Sequence, residues 1–268
     1  MIFPLRTDAP IYHYPIGTVL LIVICIGVHA LRYMLDIPTE TFALPLGDGI
    51  TPLAWITSNF IHMDLSHLIG NVWFLWIFGI VVEGKVGFFR FILIALCIGA
   101  GESAIEQLLF LNHFPTYSAG ASVIIYGLMT MVLIWAPENR FECVWFIYWA
   151  YHVEFELSHY TFAVIYIGLN ILGVFTSHFE ISSSLLHLGG VIMALPIAIL
   201  MLYWGWVNCE GYDLFTRYGH LVNLPEAYLP MTPTNESHSI DVELGEELIQ
   251  PTKKPATKSF AAGSENVA

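Results

Sequence analysis

The sequence predicts an all-α polytopic membrane protein with six transmembrane helices. Three observations carry this. The chain is 56 % hydrophobic and only 12 % charged, whereas an ordinary soluble domain carries about one quarter charged residues. Apolar runs such as Gly17–Leu35 and Leu185–Trp204 are long enough to cross a bilayer core, which takes about 20 residues. Lysine and arginine also fall on alternate connections. With the N-terminus inside, Arg6, Lys85, Arg90, Arg140 and Arg217 are cytoplasmic and only Arg32 is outside, where it can snorkel. That bias predicts both termini in the cytoplasm of a plasma or inner membrane.

The spans are expected at 17–35, 66–83, 89–110, 122–136, 160–175 and 185–204. The first is as long as a span and no small-residue cleavage site follows it, so it reads as a helix rather than a signal peptide. Residues 36–65 form a long connection with Pro38, Pro45, Gly47, Gly49 and Pro52. The aromatic stretch 143–152 is too short to span and reads as an interfacial or re-entrant segment, with Trp145, Tyr148, Trp149 and Tyr151 suited to the headgroup zone. Residues 1–206 form the membrane domain. Residues 207–268 form a polar cytoplasmic tail, rich in Pro, Thr, Ser, Glu and Lys, expected to be disordered beyond about residue 230.

The net charge of −13 does not mark an acidic binding face, because nine of the 22 acidic residues lie after residue 206. There is no basic patch for nucleic acid. Cys25, Cys97, Cys143 and Cys209 form no CxxC pair, so neither a disulfide framework nor a zinc site is expected. The 11 histidines include no H-x3-H or H-E-x2-H pair. No metal or organic cofactor is implied.

Polar residues inside spans are costly and tend to be functional. His67 and Asn71 begin the second span, Ser122 the fourth and His187 the sixth. These three spans run in one direction, so their starts share one depth near the outer surface. His67 and Asn71 are four apart and share a helical face. A serine hydroxyl needs a base within hydrogen-bond reach, and a neutral histidine supplies one. The Ser122 amide at a helix start, with the side chains of His67 and Asn71, can stabilise an oxyanion. No Asp stands beside His187 in sequence, which makes a Ser–His dyad the economical reading.

Read singly, these residues have plainer roles. Ser122 suits a helix N-cap, His187 an interfacial position, and Asn71 a bond between helices. His62, five residues before His67, reads as a hydrogen-bonding structural histidine at a loop end. His113, His152, His159 and His178 read as interfacial. Glu102 and Glu106 share a face near the outer end of the third span and are expected to be solvated there. Gly190, Ala194 and Ala198 form a small-residue stripe for close helix packing.

The stretch W-I-T-S-N-F-I-H-M-D-L-S-H-L-I-G-N-V-W-F-L-W-I-F-G, Trp55–Gly79, resembles the H-x4-H-L-x2-N signature of the rhomboid family. G-A-S-V-I-I-Y-G-L-M, Gly120–Met129, resembles its G-x-S motif, and H-L-G-G, His187–Gly190, its final-span motif. Glu83 and Gly87 match the E-x3-G that follows the second span. Val123 stands where the family commonly has glycine, and Trp55 is followed by Ile56 where a Trp–Arg pair is common.

The resemblance implies a six-helix rhomboid-like bundle and an intramembrane serine endopeptidase. Ser122 would be nucleophile and His187 general base, with His67, Asn71 and the Ser122 amide as oxyanion hole. Tyr126 would pack on the His187 ring, and Gly120 would let the backbone approach the oxyanion. Substrates would be transmembrane segments with unstable, small-residue stretches near the outer surface, reached from the lipid bilayer. Two other classes stand beside this: an inactive relative that binds transmembrane clients, and a transporter, whose polar residues would trace a path across the bilayer.

Overall fold

The computed structural model describes residues 2–112, 114–148 and 151–219. Most of the tail, His113 and Trp149 lie outside them, as do the side chains of Tyr148 and Tyr151. In chain order the elements are β1 (Ile2–Thr7), α1 (Ile16–Met34), β2 (Leu44–Leu46), α2 (Ala54–Thr57), α3 (Leu65–Val86), α4 (Phe88–Leu109), β3 (Thr116–Ser118), α5 (Ser122–Trp135), β4 (Arg140–Tyr148), β5 (Tyr151–Ser158), α6 (His159–Thr176), α7 (Ser183–Tyr203) and α8 (Leu214–Tyr218). Five helices, α1, α3, α4, α6 and α7, are long and apolar enough to cross a membrane. The sixth apolar helix, α5, has 14 residues. The protein is a multi-pass membrane protein with an all-α spanning core.

Burial explains why the apolar runs differ. On α1, α6 and α7 less than a third of the spanning residues are buried, and Val23, Leu169 and Ile192 face outward. Nearly every residue of α5 is buried, so α5 is the central helix, packed by α3, α4, α6 and α7. It packs more extensively on α7 than on any other element. The small-residue stripe makes this contact: a Cβ built on Gly190 would fall on the Val123 carbonyl, and Ala194 and Ala198 are fully buried. Only Gly87 separates α3 from α4. Its φ of +78° makes the reversal, a conformation open to glycine and strained for other residues.

Strands add to the helical core at both ends. At the C-terminal end of α5, β4 and β5 form an antiparallel hairpin that β1 joins, in the order β1-β4-β5. Of the aromatic stretch 143–152, expected to be interfacial or re-entrant, residues 143–148 lie in β4 and 151–152 in β5. Residues 140–143 show the two-residue period of a strand: Phe141 and Cys143 are buried while Arg140 and Glu142 are exposed. At the other end, β2 pairs with β3, which leads into Ser122.

The cationic residues sort by end. Asp8 accepts from Asn139 and the Arg140 amide, Arg90 donates to the Trp206 carbonyl, Arg217 pairs with Glu138, and Lys85 lines a cleft with Asp8 and Glu138. Arg32 sits at the far end of α1, donating to Thr39 and the His62 carbonyl. Past residue 206 the chain still packs on this body: Val207 and Cys209 are buried in the core, and Asp213 caps α8.

Candidate active site

The site is built where α3, α5 and α7 begin. Asp64 caps α3 by accepting from the His67 amide at 2.8 Å, which fixes the first helical turn. Hydrogen bonds from Ser66 and that amide hold the Asp64 carboxyl below the ordinary carboxylate range. Ser122 is the first helical residue of α5, with Ala121 at the cap position, so its N–H has no acceptor within the helix. Gly120 arrives with φ +126°, its N–H bonded to the Ser58 carbonyl at 2.9 Å. A side chain there would stand 2.9 Å from His67 Cε1, so only glycine allows the serine loop to lie against that ring.

His67, Asn71, Gly120, Ser122, Tyr126 and His187 all line one cavity of about 670 Å³. Asn71 is buried and donates one amide hydrogen to the His67 carbonyl at 2.8 Å. The Tyr126 ring stacks on the His187 imidazole, with centroids 4.2 Å apart and planes 13° apart. His187 Nδ1 lies 2.8 Å from Asn170 Oδ1. Among the described residues no hydrogen bond joins Ser122 Oγ to His187. Catalytic hydrogen bonds are often long until substrate is bound. Val123 is inside α5 with ordinary helical geometry, so its β-branch strains nothing.

Several side chains depart from the sequence reading. Glu102 and Glu106 are 5 % and 3 % exposed rather than solvated. Glu102 packs against Gly189, which has no side chain to exclude it, and Glu106 accepts from Ser118. His62 is fully buried, edge-on to His67, and neither ring nitrogen has a hydrogen-bond partner. Burial holds its pKa down at about 4. His159 is buried and bonded to Thr7, while His152 and His178 are exposed. Asn170 was not singled out by the sequence. The available signal was an amide within an otherwise apolar span. Among the described residues no group of three or more His, Cys, Asp or Glu is arranged to hold a metal ion.

Fold and cavity together define a multi-pass membrane protein with a polar, serine- and histidine-lined site at one end of its helix bundle. The rhomboid domain matches residues 51–204, more than half of the chain, and the protein belongs to the rhomboid family. The chain is also 33 % identical over 84 residues to rhomboid-like protein 11, chloroplastic, of Arabidopsis thaliana. It is 40 % identical over 78 residues to RHOMBOID-like protein 6, mitochondrial, of the same organism. These matches cover 30 % and 29 % of this chain, and 29 % and 24 % of the relatives.

Proposed function

We propose that this chain is an intramembrane serine endopeptidase that cleaves transmembrane segments near one membrane surface by a Ser122–His187 dyad. The observation that carries the reading is the convergence of Ser122, His187, His67 and Asn71, from three helices, on one cavity. Ser122 Oγ attacks the scissile carbonyl as its proton passes to His187. The resulting oxyanion is met by the Ser122 amide and the side chains of Asn71 and His67. His187 then protonates the leaving amine, and water hydrolyses the acyl-enzyme by the same path in reverse. Substrates are transmembrane helices with small, weakly helical stretches, which must unwind to enter the cavity. The sorting of cations supports an orientation with both termini in the cytoplasm and the cavity outward, in a plasma or inner membrane. Residues 1–206 carry the activity; of the expected tail 207–268, the first residues up to α8 pack on that domain.

The test is cleavage of a model transmembrane substrate by purified protein in liposomes, with Ser122→Ala and His187→Ala alongside. Cutting by the wild type alone supports the dyad. Binding of the substrate by a folded wild type without cutting, and without covalent capture of Ser122 by a fluorophosphonate, would favour a client-binding protein instead. Activity requires neutral His187, so the rate should fall once acid protonates that ring in the folded protein. A rate that no acidification lowers while the protein stays folded would remove His187 from the mechanism.

A further inference from the structure

Asn170 lies midway along α6, is 7 % exposed, and touches the candidate base directly. Its amide has three partners. Nδ2 donates to the Tyr166 carbonyl at 2.8 Å and to the Tyr126 hydroxyl at 2.8 Å, and Oδ1 faces His187 Nδ1 at 2.8 Å. The two ends of an amide differ in chemistry, and here the surroundings decide which end goes where. A backbone carbonyl only accepts. If the amide were turned over, its oxygen would sit against the Tyr166 carbonyl, leaving two acceptors in contact in a buried site. The nitrogen must therefore face Tyr166, and the oxygen must face His187.

An oxygen acceptor at 2.8 Å requires a proton on the nitrogen opposite it. A neutral imidazole carries one N–H, so a proton on Nδ1 leaves Nε2 as the free lone pair. We propose that Asn170 is a positioning residue that holds His187 in the Nδ1–H tautomer, making Nε2 the nitrogen that receives the Ser122 proton. This rests on the protease reading for its consequence and on the hydrogen bonds alone for the tautomer.

Tyr126 completes the device. Its ring lies on the face of the imidazole and its hydroxyl accepts from Asn170. The stack restrains tilt, and the Asn170 bond restrains rotation within the ring plane. When Ser122 gives up its proton, the bond to Nδ1–H persists and its acceptor remains uncharged. The other titratable group facing the imidazole is His67 from α3, while Glu102 from α4 lies against Gly189 two residues further along α7.

The direct measurement is ¹⁵N NMR of histidine-labelled protein in detergent, with His187 assigned by difference from His187→Gln. A neutral His187 protonated on Nδ1 is expected in the wild type, and protonation on Nε2 would overturn the proposal. Because this reads the tautomer without catalysis, it stands apart from the protease reading, which fails if the wild type neither cuts nor reacts with a fluorophosphonate. Asn170→Leu should lower kcat by about 10²-fold or more with KM little changed. Full kcat in a folded Asn170→Leu protein, or a His187 still held on Nδ1–H in it by ¹⁵N NMR, would reduce Asn170 to a packing residue.

Discussion

Glu83 offers the sharpest test of how the bundle is held together. It is fully buried on α3, and its carboxylate takes three hydrogen bonds from the start of α1: the Gly17 and Thr18 amides and the Thr18 hydroxyl, each at 2.7 Å. First-turn amides have no intrahelical acceptor and favour negative charge. The helices also cross closely here, since a Cβ on Gly79 would stand 2.7 Å from Thr18 Oγ1. Glu83→Leu removes the acceptor at similar volume. The Thr18 hydroxyl can turn to a carbonyl one turn back, but the two amides cannot. At about 1–3 kcal/mol for each orphaned donor, the loss should be about 2–6 kcal/mol. Glu83→Gln keeps one acceptor oxygen and should fall between. Thr18→Val, which removes only the hydroxyl, should cost about 1 kcal/mol. Denaturant titration in detergent micelles measures all three, with the double variant reporting non-additivity. A Glu83→Leu protein within about 0.5 kcal/mol of wild type would refute this account, because a surface substitution would do as little.

Three further outcomes follow from the same geometry. Val123→Gly should not raise activity, because position 123 is already helical; it should cost about 2–4 kcal/mol in helix propensity and lost burial, and a gain in cleavage rate would show that the serine loop needs glycine after all. Gly120→Ala should lose most activity and about 1–3 kcal/mol of stability, since the added methyl meets both a φ of +126° and the His67 ring; unchanged cleavage would put the oxyanion site elsewhere. His62 is held at about 4 by burial, against about 6.5 when unfolded, so between those values the unfolded chain binds the extra proton and stability falls as pH drops. That loss is at most about 3 kcal/mol and should be absent in His62→Phe; identical pH–stability curves for the two proteins would show that His62 is already charged or hydrated in the fold.

The six helices were legible because each is an apolar run whose bounds are set by polar or glycine residues, such as Asp64 before α3 and Gly87 after it. The hairpin was not, because β4 and β5 are rich in aromatics that suit a membrane interface equally well. The inward period of Phe141 and Cys143 is only two residues deep before the masking aromatic run. At the site, the motif residues could be named from spacing, but what surrounds them could not. The burial of Glu102 depends on a glycine in another helix, Gly189. The role of Asn170 depends on the carbonyl of Tyr166 and the ring of Tyr126, neither of which any local pattern relates to His187.

The length of α5 bears on how the proposed hydrolytic site would sit in this bundle. Fourteen residues rise about 21 Å, well short of a hydrocarbon core of about 30 Å. On the proposed reading the shortfall lies at its start, which puts the irregular backbone leading into Ser122 at membrane depth. Such backbone is tolerated only where protein surrounds it and satisfies its polar groups. The long connection after α1 does this. Its β2 strand pairs with β3, and its Ser58 carbonyl accepts from Gly120. Gln107, fully buried on α4, anchors that connection with four bonds: its oxygen accepts from the Thr51 amide and the Trp55 indole, and its nitrogen donates to the Pro45 carbonyl and the Thr51 hydroxyl. The loop is thus tied to the same helix that carries Glu102 and Glu106. A short central helix, wrapped by a clamped loop, lowers the serine into the bundle without leaving its approach unpaired.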